Sequence, residues 1–175
     1  MQTSASRPDI SFLFFGMRPI DADFTAIFAP NDNSFRRLRP GAFAPTAPTW
    51  GYENRTVAVR IPLAGGAARR LEHRVAGADA NPHLVLAAIL SGVLHGIEHT
   101  LEPAEPVTGS AYGRDGEALP ESLPAALRAL ERSAVARDRL GPEMLRIFTA
   151  AKWQEHDRLA GIVPAAEHAA YLRTV

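Results

Sequence analysis

Charged side chains alternate along the stretch from Arg69 to Pro82. If this stretch begins as an extended strand, Arg70, Glu72 and Arg74 point to one face and the residues between them to the other. One carboxylate would then lie between two guanidinium groups, which favour its ionised form. For this spacing alone, ordinary ion pairs on a solvated strand face are the favoured interpretation, because such surface pairs are common and weak.

Arginine supplies almost all of the positive charge in the chain, and Lys152 is the only lysine. The planar guanidinium group suits bidentate contacts with carboxylate and phosphate. Arg36, Arg37 and Arg39 follow an asparagine-rich turn, where they could hold an anion or form an ordinary basic surface loop. Spacing alone favours the surface loop.

The segment from Arg55 to Ile61 is the clearest predicted strand, because apolar residues alternate along it and Pro62 ends the run. Arg55 and Arg60 have opposite parity in such a strand. Both can therefore reach one ligand only if Arg55 lies in the turn before the strand.

Composition limits the classes of function. The 175 residues, about one domain, carry 19 basic and 19 acidic side chains, so net charge gives no indication of nucleic acid or an anionic membrane as a partner. The absence of cysteine excludes disulfides, thiol nucleophiles and cysteine-bound metals. No secretory signal is recognisable, so a cytoplasmic location is expected. The glycine-rich phosphate loop and the serine elbow of common nucleotide-binding and hydrolase folds do not occur.

Asn81 and Pro82 are typical of a helix start, with asparagine as the N-cap and proline at the first helical position. The helix predicted from His83 to about Leu101 is apolar on nearly every side, so we expect a buried central helix. It is too short and too interrupted to span a bilayer.

His95 and His99 on this helix have the i, i+4 spacing of a metal-binding pair. No third ligand lies nearby, so a polar stripe near the helix end is favoured. Three further helices are predicted at Leu123–Ala136, Pro142–Ala160 and Pro164–Leu172, and a short strand is possible at Ile10–Phe15.

Four motifs, in this order, resemble the C-terminal half of the catalytic domain of bacterial, type I glutamine synthetases. They are Asn33-Ser34-Phe35-Arg36-Arg37-Leu38-x-Pro40-Gly41, Asn54-Arg55-Thr56-x-x-x-Arg60-Ile61-Pro62, Arg69-Arg70-Leu71-Glu72-x-Arg74 and Asp79-Ala80-Asn81-Pro82-x-Leu84. The runs from Trp50 to Thr56 and from Glu72 to Pro82 resemble more closely the branch that joins glutamate to polyamines or other amines, the γ-glutamylputrescine synthetase type.

The resemblance implies an α+β fold in which antiparallel strands pack with helices and the C-terminus is helical. It covers residues 27–175, which would be the C-terminal part of the catalytic domain. Residues 1–26 follow no family pattern, and the N-terminal β-grasp domain of the family is expected to be absent. Complete family members are expected to be ring-type homo-oligomers.

The resemblance also implies a reaction. Such enzymes use ATP to phosphorylate the side-chain carboxylate of glutamate, and an amine then displaces phosphate from the γ-glutamyl phosphate. Arginines and a divalent metal ion, Mg²⁺ or Mn²⁺, supply positive charge where negative charge develops. By position, the resemblance assigns glutamate binding to Arg37 and Arg74, the nucleotide phosphates and catalysis to Arg55 and Arg60, a place beside the nucleotide to Arg70, and metal ligation to Glu72.

Phe43 departs from the ammonium-using family members, which usually read Pro-Gly-x-Glu-Ala-Pro where this chain reads Pro40-Gly41-Ala42-Phe43-Ala44-Pro45. An aromatic ring can attract a cation and pack against a methylene chain, so a polyamine or another amine is the expected acceptor. Phe43 could instead simply pack within a differently shaped loop.

Two alternatives stay open for the whole chain. One is a glutamine synthetase that uses ammonium, and the other is a non-catalytic truncated remnant that binds a partner. A single glutamate cannot complete a site for a hard cation, which favours several oxygen ligands. The isolated chain is therefore expected to be inactive.

Overall fold

Three short strands and seven α-helices make up the part of the chain that the structure describes. The structure is a computed structural model, and it describes residues 17–63, 68, 70–102, 104–114 and 116–172. The strands are β1 (Trp50–Tyr52), β2 (Val59–Ile61) and β3 (Glu72–His73). The helices are α1 (Met17–Asp23), α2 (Thr25–Phe28), α3 (Pro82–Glu98), α4 (Leu123–Arg132), α5 (Ala134–Leu140), α6 (Pro142–Ala160) and α7 (Ala165–Tyr171), with a 3₁₀ helix at Asp32–Arg36. This arrangement confirms the predicted α+β class and the helical C-terminus.

The sheet has the strand order β1-β2-β3 and is mixed. β2 and β3 are antiparallel, with Arg60 opposite Glu72. β1 and β2 are parallel, with Trp50 opposite Val59, so the prediction of antiparallel strands is wrong for this pair. The left-handed backbone of Glu53 (φ 47°) turns the chain at the end of β1, and a run of bends then returns it to the start of β2.

The strand predicted over Arg55–Ile61 is shorter than expected and begins only at Val59. Asn54 explains the difference, because its side-chain oxygen accepts a hydrogen bond from the backbone N–H of Thr56 at 2.9 Å. This Asx-type turn competes with extended pairing. Arg55 therefore lies in the bends before the strand. This is the position that it needs if Arg55 and Arg60 are to reach one ligand.

The main core lies between the N-terminal helices and α3 and α4. Its largest fully buried side chains include Phe24, Phe28, Leu123, Leu127 and Leu130. α6 packs against α4 and α5 on the outside of this core. The core packs against the sheet, because Ala58 before β2 and Val75 after β3 both belong to the core.

The start of α3 confirms the predicted cap. The side chain of Asn81 accepts hydrogen bonds from the backbone N–H groups of His83 (3.0 Å) and Leu84 (3.4 Å), and Pro82 is the first helical residue. This cap fixes the direction in which the chain leaves the charged strand.

One face of α3 is exposed, so the prediction of a buried central helix is wrong for that face. Leu86 and Leu90 are each 58% exposed, and Leu94 and Ile97 are each 48% exposed. The opposite face is buried and carries the small residues Ala88, Ser91, Gly92 and Gly96. That face packs against α1, α2 and α5, and no element within the described ranges covers the leucines.

The C-terminal helices follow the predictions with one break. The predicted helix Leu123–Ala136 divides at Ser133, whose side chain accepts a hydrogen bond from the backbone N–H of Ala136 (3.1 Å) and starts α5. The helix Pro142–Ala160 has the predicted bounds. The possible strand at Ile10–Phe15 lies outside the described residues. Within the described ranges no helix combines the length and apolar character needed to cross a membrane.

Candidate active site

Glu72 lies at the centre of a charged network on one face of β3. Its Oε2 accepts a hydrogen bond from Arg60 Nη1 (2.8 Å), and its Oε1 accepts one from Arg74 Nη1. The two guanidinium groups that flank Glu72 are therefore those of Arg60 and Arg74, and the prediction that Arg70 would be one of them is wrong. The antiparallel register places Arg60 directly opposite Glu72, where cross-strand side chains meet.

The environment of Glu72 favours its charged form. Burial alone would raise the pKa of Glu72, but the hydrogen bonds and positive charges of Arg74 and Arg60 together outweigh burial and hold the pKa below its usual value. Glu72 is thus ionised at neutral pH, as a metal ligand must be.

Arg60 also contacts Glu53, a residue that the sequence patterns did not single out. Arg60 Nη2 donates to Glu53 Oε2 at 2.6 Å, and Glu53 Oε1 accepts a hydrogen bond from the backbone N–H of Leu63 at 2.5 Å. The hydrogen bond from Arg60, followed by that from Leu63, lowers the pKa of Glu53. The sequence offered one weak signal, an acidic residue two positions before Arg55.

Arg74 links the network to the loop that carries Phe43. Arg74 Nη2 donates to the carbonyl oxygen of Phe43 at 2.8 Å. Phe43 has a left-handed backbone (φ 50°) and is 67% exposed. Such exposure does not fit the alternative in which the ring simply packs within its loop. Glu53, Arg60, Glu72 and Arg74 thus form one continuous chain of alternating charges.

Arg37 supports the backbone at the end of β3. Its Nη1 donates to the carbonyl oxygen of Arg74 at 3.2 Å, and its Nη2 donates to that of Val75. Burial is the main cause that lowers the pKa of Arg37, and the charge of Asp79 acts in the opposite direction. Arg37 therefore holds the strand end from which the Arg74 side chain extends.

Arg55 and Arg70 are exposed at the margins of the network. Arg55 lies in the bends before β2. Arg70 Nη1 donates to the carbonyl oxygen of Ala68 at 3.3 Å, and the Arg70 charge also lowers the pKa of Glu53. Both guanidinium groups are accessible to a ligand.

An open groove of about 920 Å³ lies beside the network. Its lining brings together three of the predicted site residues, Phe43, Arg55 and Arg60, with Glu53 and Tyr52. The other predicted site residues, Arg37, Arg70, Glu72 and Arg74, are not part of this lining. Arg60 therefore connects the groove to Glu72.

The opposite face of β3 carries His73 into the core. His73 Nε2 lies 2.9 Å from Asp21 Oδ1, and the His73 ring centroid is 4.4 Å from that of Phe28. Asp21 is 1% exposed. The predicted alternation of Glu72 and His73 between two faces is therefore confirmed.

The described residues do not provide a complete site for a divalent cation. Among them, no group of three or more His, Cys, Asp or Glu side chains could hold a metal ion. The ionised carboxylate of Glu72 fits a hard cation, but such cations favour several oxygen ligands. The metal assignment of Glu72 therefore stays a prediction that needs further ligands.

His95 and His99 lie side by side near the end of α3. Their ring centroids are 4.1 Å apart, and His99 Nδ1 lies 2.9 Å from the carbonyl oxygen of His95. Glu98 between them is paired with Arg139, so its carboxylate is already engaged.

Arginines and a carboxylate on one face of a small helix-backed sheet define a site for anionic substrates. The family model described as glutamine synthetase, catalytic domain, matches residues 13–171, and the chain belongs to this family. The resemblance inferred from the four motifs is thereby confirmed.

Curated relatives include both amine ligases and glutamine synthetases. γ-Glutamylputrescine synthetase of Escherichia coli K12 is 40% identical over 148 residues, which cover 85% of this chain and 31% of that protein. γ-Glutamylethanolamide synthetase of Streptomyces coelicolor is 42% identical over 123 residues, which cover 70% of this chain and 26% of that protein. Glutamine synthetase of Pyrococcus abyssi is 41% identical over 125 residues, which cover 67% of this chain and 28% of that protein. The chain thus spans less than a third of the length of these relatives.

Solved structures agree with the fold. GmaS without ligand has a TM-score of 0.81 and 33% identity, and the match covers 95% of this chain and 39% of that chain. GmaS in complex with ADP has a TM-score of 0.82 and 32% identity, with 95% and 40% of the two chains covered.

Proposed function

We propose that this chain forms part of an ATP-dependent ligase that joins the γ-carboxylate of glutamate to an amine through γ-glutamyl phosphate. One observation carries the proposal. Hydrogen bonds hold Arg60, Glu72 and Arg74 together on one sheet face. Arg60 also lines a groove, together with Arg55 and Phe43. The membership of a family that contains glutamate–amine ligases supports it.

The proposed roles follow the predicted assignments. Arg55 and Arg60, which share the groove, contact the nucleotide phosphates, and Arg70 lies beside the nucleotide. Arg74 binds glutamate, and Arg37 acts with it by holding the end of β3. The complex of the related GmaS with ADP supports a nucleotide as the ligand.

The chemistry requires fixed positive charge rather than a side-chain nucleophile. Arginine keeps its charge at any physiological pH and can bind phosphate and carboxylate oxygens with two N–H groups at once. Such preorganised cations stabilise charge that moves among carboxylate, phosphate and leaving group. Mg²⁺ or Mn²⁺ bound at Glu72 would add further positive charge to the phosphates.

Phe43 supports an alkyl or aryl amine as the acceptor. Its exposed ring lines the groove, where it can contact a cation or a methylene chain. In a polypeptide that contains this chain with the rest of the catalytic domain, putrescine or a related amine should have a higher kcat/KM than ammonium. Phe43→Glu should shift that ratio toward ammonium. A preference of the unmutated enzyme for ammonium over every amine tested would assign the chain to the glutamine synthetases instead.

The chain supplies only one part of the proposed site. Among its described residues no group of three or more possible metal ligands occurs, and the chain spans 31% of the length of its E. coli relative. We propose that residues 27–175 are the C-terminal part of the catalytic domain, that the remaining metal ligands lie outside this chain, and that the complete enzyme is a homo-oligomeric ring. The isolated chain should accordingly release no ADP when given ATP, glutamate and an amine.

Calorimetric titration of the chain with Mg-ADP tests the nucleotide role. The unmutated chain should show a heat of binding, and Arg60→Gln should weaken binding by about tenfold, the loss expected for one charge-assisted contact. Arg132→Gln, which changes an exposed arginine at the end of α4, is the matched control and should leave binding unchanged.

A second candidate is a non-catalytic module that binds a partner. The exposed leucines of α3 favour it, because a contiguous apolar face of this kind marks interaction surfaces. The same titration separates the two functions, since such a module should give no heat with Mg-ADP.

A further inference from the structure

We propose that Glu53 is a positioning residue that anchors Arg60 at the groove. The inference rests on the proposed function, in which Arg60 binds nucleotide phosphate, and it adds a residue that no sequence motif assigns. Glu53 would act through Arg60 and would not itself touch the nucleotide.

Glu53 is fixed to the end of β2 by three hydrogen bonds. Its backbone N–H donates to the carbonyl oxygen of Ile61 (3.1 Å), its Oε1 accepts from the backbone N–H of Leu63 (2.5 Å), and its Oε2 accepts from Arg60 Nη2 (2.6 Å). An ordinary surface ion pair joins two mobile side chains. Here one partner, Glu53, is tied to the backbone of Ile61 and Leu63, which follow the arginine in the chain, so its carboxylate is held in place.

The backbone at Glu53 is in a conformation that side-chain-bearing residues rarely adopt (φ 47°). Among the described residues three non-glycine residues have a positive φ, and two of them, Phe43 and Glu53, line the same groove. Strained backbone of this kind persists where the surrounding structure imposes it, often at functional sites. At Glu53 the conformation both reverses the chain after β1 and directs the carboxylate toward Arg60.

The guanidinium group of Arg60 donates hydrogen bonds to two carboxylates. Glu72 accepts from Nη1 and Glu53 accepts from Nη2, and the Arg60 side chain is 17% exposed. A cation bound at Glu72 would compete with Arg60 for the same carboxylate, because an oxygen that ligates a metal is less available as a hydrogen-bond acceptor. Glu53 has no such competing role, so it keeps Arg60 at the groove when Glu72 changes partner.

NMR of the arginine guanidinium groups tests the anchor directly in the 175-residue chain. In the unmutated chain the two Nη groups of Arg60 should give separate signals, because hydrogen bonds slow the rotation about the Cζ–Nη bonds. Glu53→Gln removes the charge and should speed that rotation by about tenfold or more, the change expected when one charge-assisted hydrogen bond is weakened. Unchanged rotation in Glu53→Gln, or averaged Arg60 signals in the unmutated chain, would overturn the proposal.

Glu143→Gln is the matched control, since Glu143 pairs with Arg146 on the exposed surface of α6. It should leave the Arg60 signals unchanged. If Glu53→Gln does not fold, Glu53→Asn replaces it, because asparagine tolerates a positive φ but carries no charge.

Addition of Mg-ADP separates the anchor from the proposed function. The unmutated chain should show shifted Arg60 signals, and Glu53→Gln, although still folded, should bind Mg-ADP about tenfold more weakly, since a preorganised guanidinium loses less freedom on binding. Absence of any response in the unmutated chain would contradict the nucleotide role, while the rotation rates would still decide whether Glu53 anchors Arg60. Equal affinities in the two chains would overturn the anchor.

Discussion

The two faces of β3 have different surroundings, although Glu72 and His73 are neighbours in the chain. The side chain of Glu72 is 34% exposed and forms ion pairs with Arg60 and Arg74. The side chain of His73 is 7% exposed and contacts the buried Asp21. Charged groups that remain in contact with water can change partners at low cost, but a buried polar group that loses its partner is left unsatisfied. The strand therefore separates the face of the proposed ligand site from the face that is attached to the core.

His73→Ala should have the largest effect on folding. It removes a ring that packs on Phe28 and leaves the Asp21 carboxylate buried without this partner, so we expect the free energy of unfolding to fall by about 3 kcal/mol. Urea unfolding measures the change. Glu72→Gln, one residue away, should cost less than about 1 kcal/mol, because its network is partly solvated. Equal costs would remove the distinction between the two faces.

Acid should weaken the Glu72 face in a defined direction. The pKa values of Glu72 and Glu53 lie below the ordinary value of 4.5 in the folded chain, so their contribution to stability is complete above that value and is lost as the pH falls through the lower folded values. Urea unfolding from neutral pH to about pH 3 should show this loss in the unmutated chain. The loss should be smaller in the double variant Glu53→Gln, Glu72→Gln, and parallel pH curves for the two chains would contradict the network.

Alternation alone predicted which face of β3 each residue would occupy, and the Asn81 cap predicted where α3 begins. The cross-strand partner of Glu72 was not predictable in the same way. Arg70 has the right parity on the same strand, but Arg60 lies opposite Glu72 through a strand register that no local pattern reveals. Glu53 was missed because its contact depends on a left-handed turn, and glutamate gives no signal for such a turn.

The burial of α3 was overestimated for a related reason. An apolar sequence shows that a helix can be buried on every side, but not that the chain supplies an element for each side. In this chain the small residues, such as Gly92, meet neighbouring helices, while the larger Leu90 is exposed.

Leu90→Ser should have the smallest effect on folding, less than about 0.5 kcal/mol, because the side chain is already exposed. It should nevertheless raise the solubility of the isolated chain, since it interrupts a contiguous apolar face. Static light scattering against concentration measures this. Ile147→Ser on α6 is the control for adding a polar side chain at an exposed position, and an equal gain in solubility from it would show that the α3 face has no special role.

The difference in role between the two faces of β3 is tested most directly by the affinity for Mn²⁺. Electron paramagnetic resonance measures this affinity on a polypeptide that joins this chain to the rest of the catalytic domain. Glu72→Gln should weaken Mn²⁺ binding by about tenfold or more, because it removes a charged oxygen ligand. His73→Gln, on the core face, should leave the affinity unchanged and reduce only the free energy of unfolding. Equal losses of Mn²⁺ affinity in the two variants, or no loss in Glu72→Gln, would contradict the account.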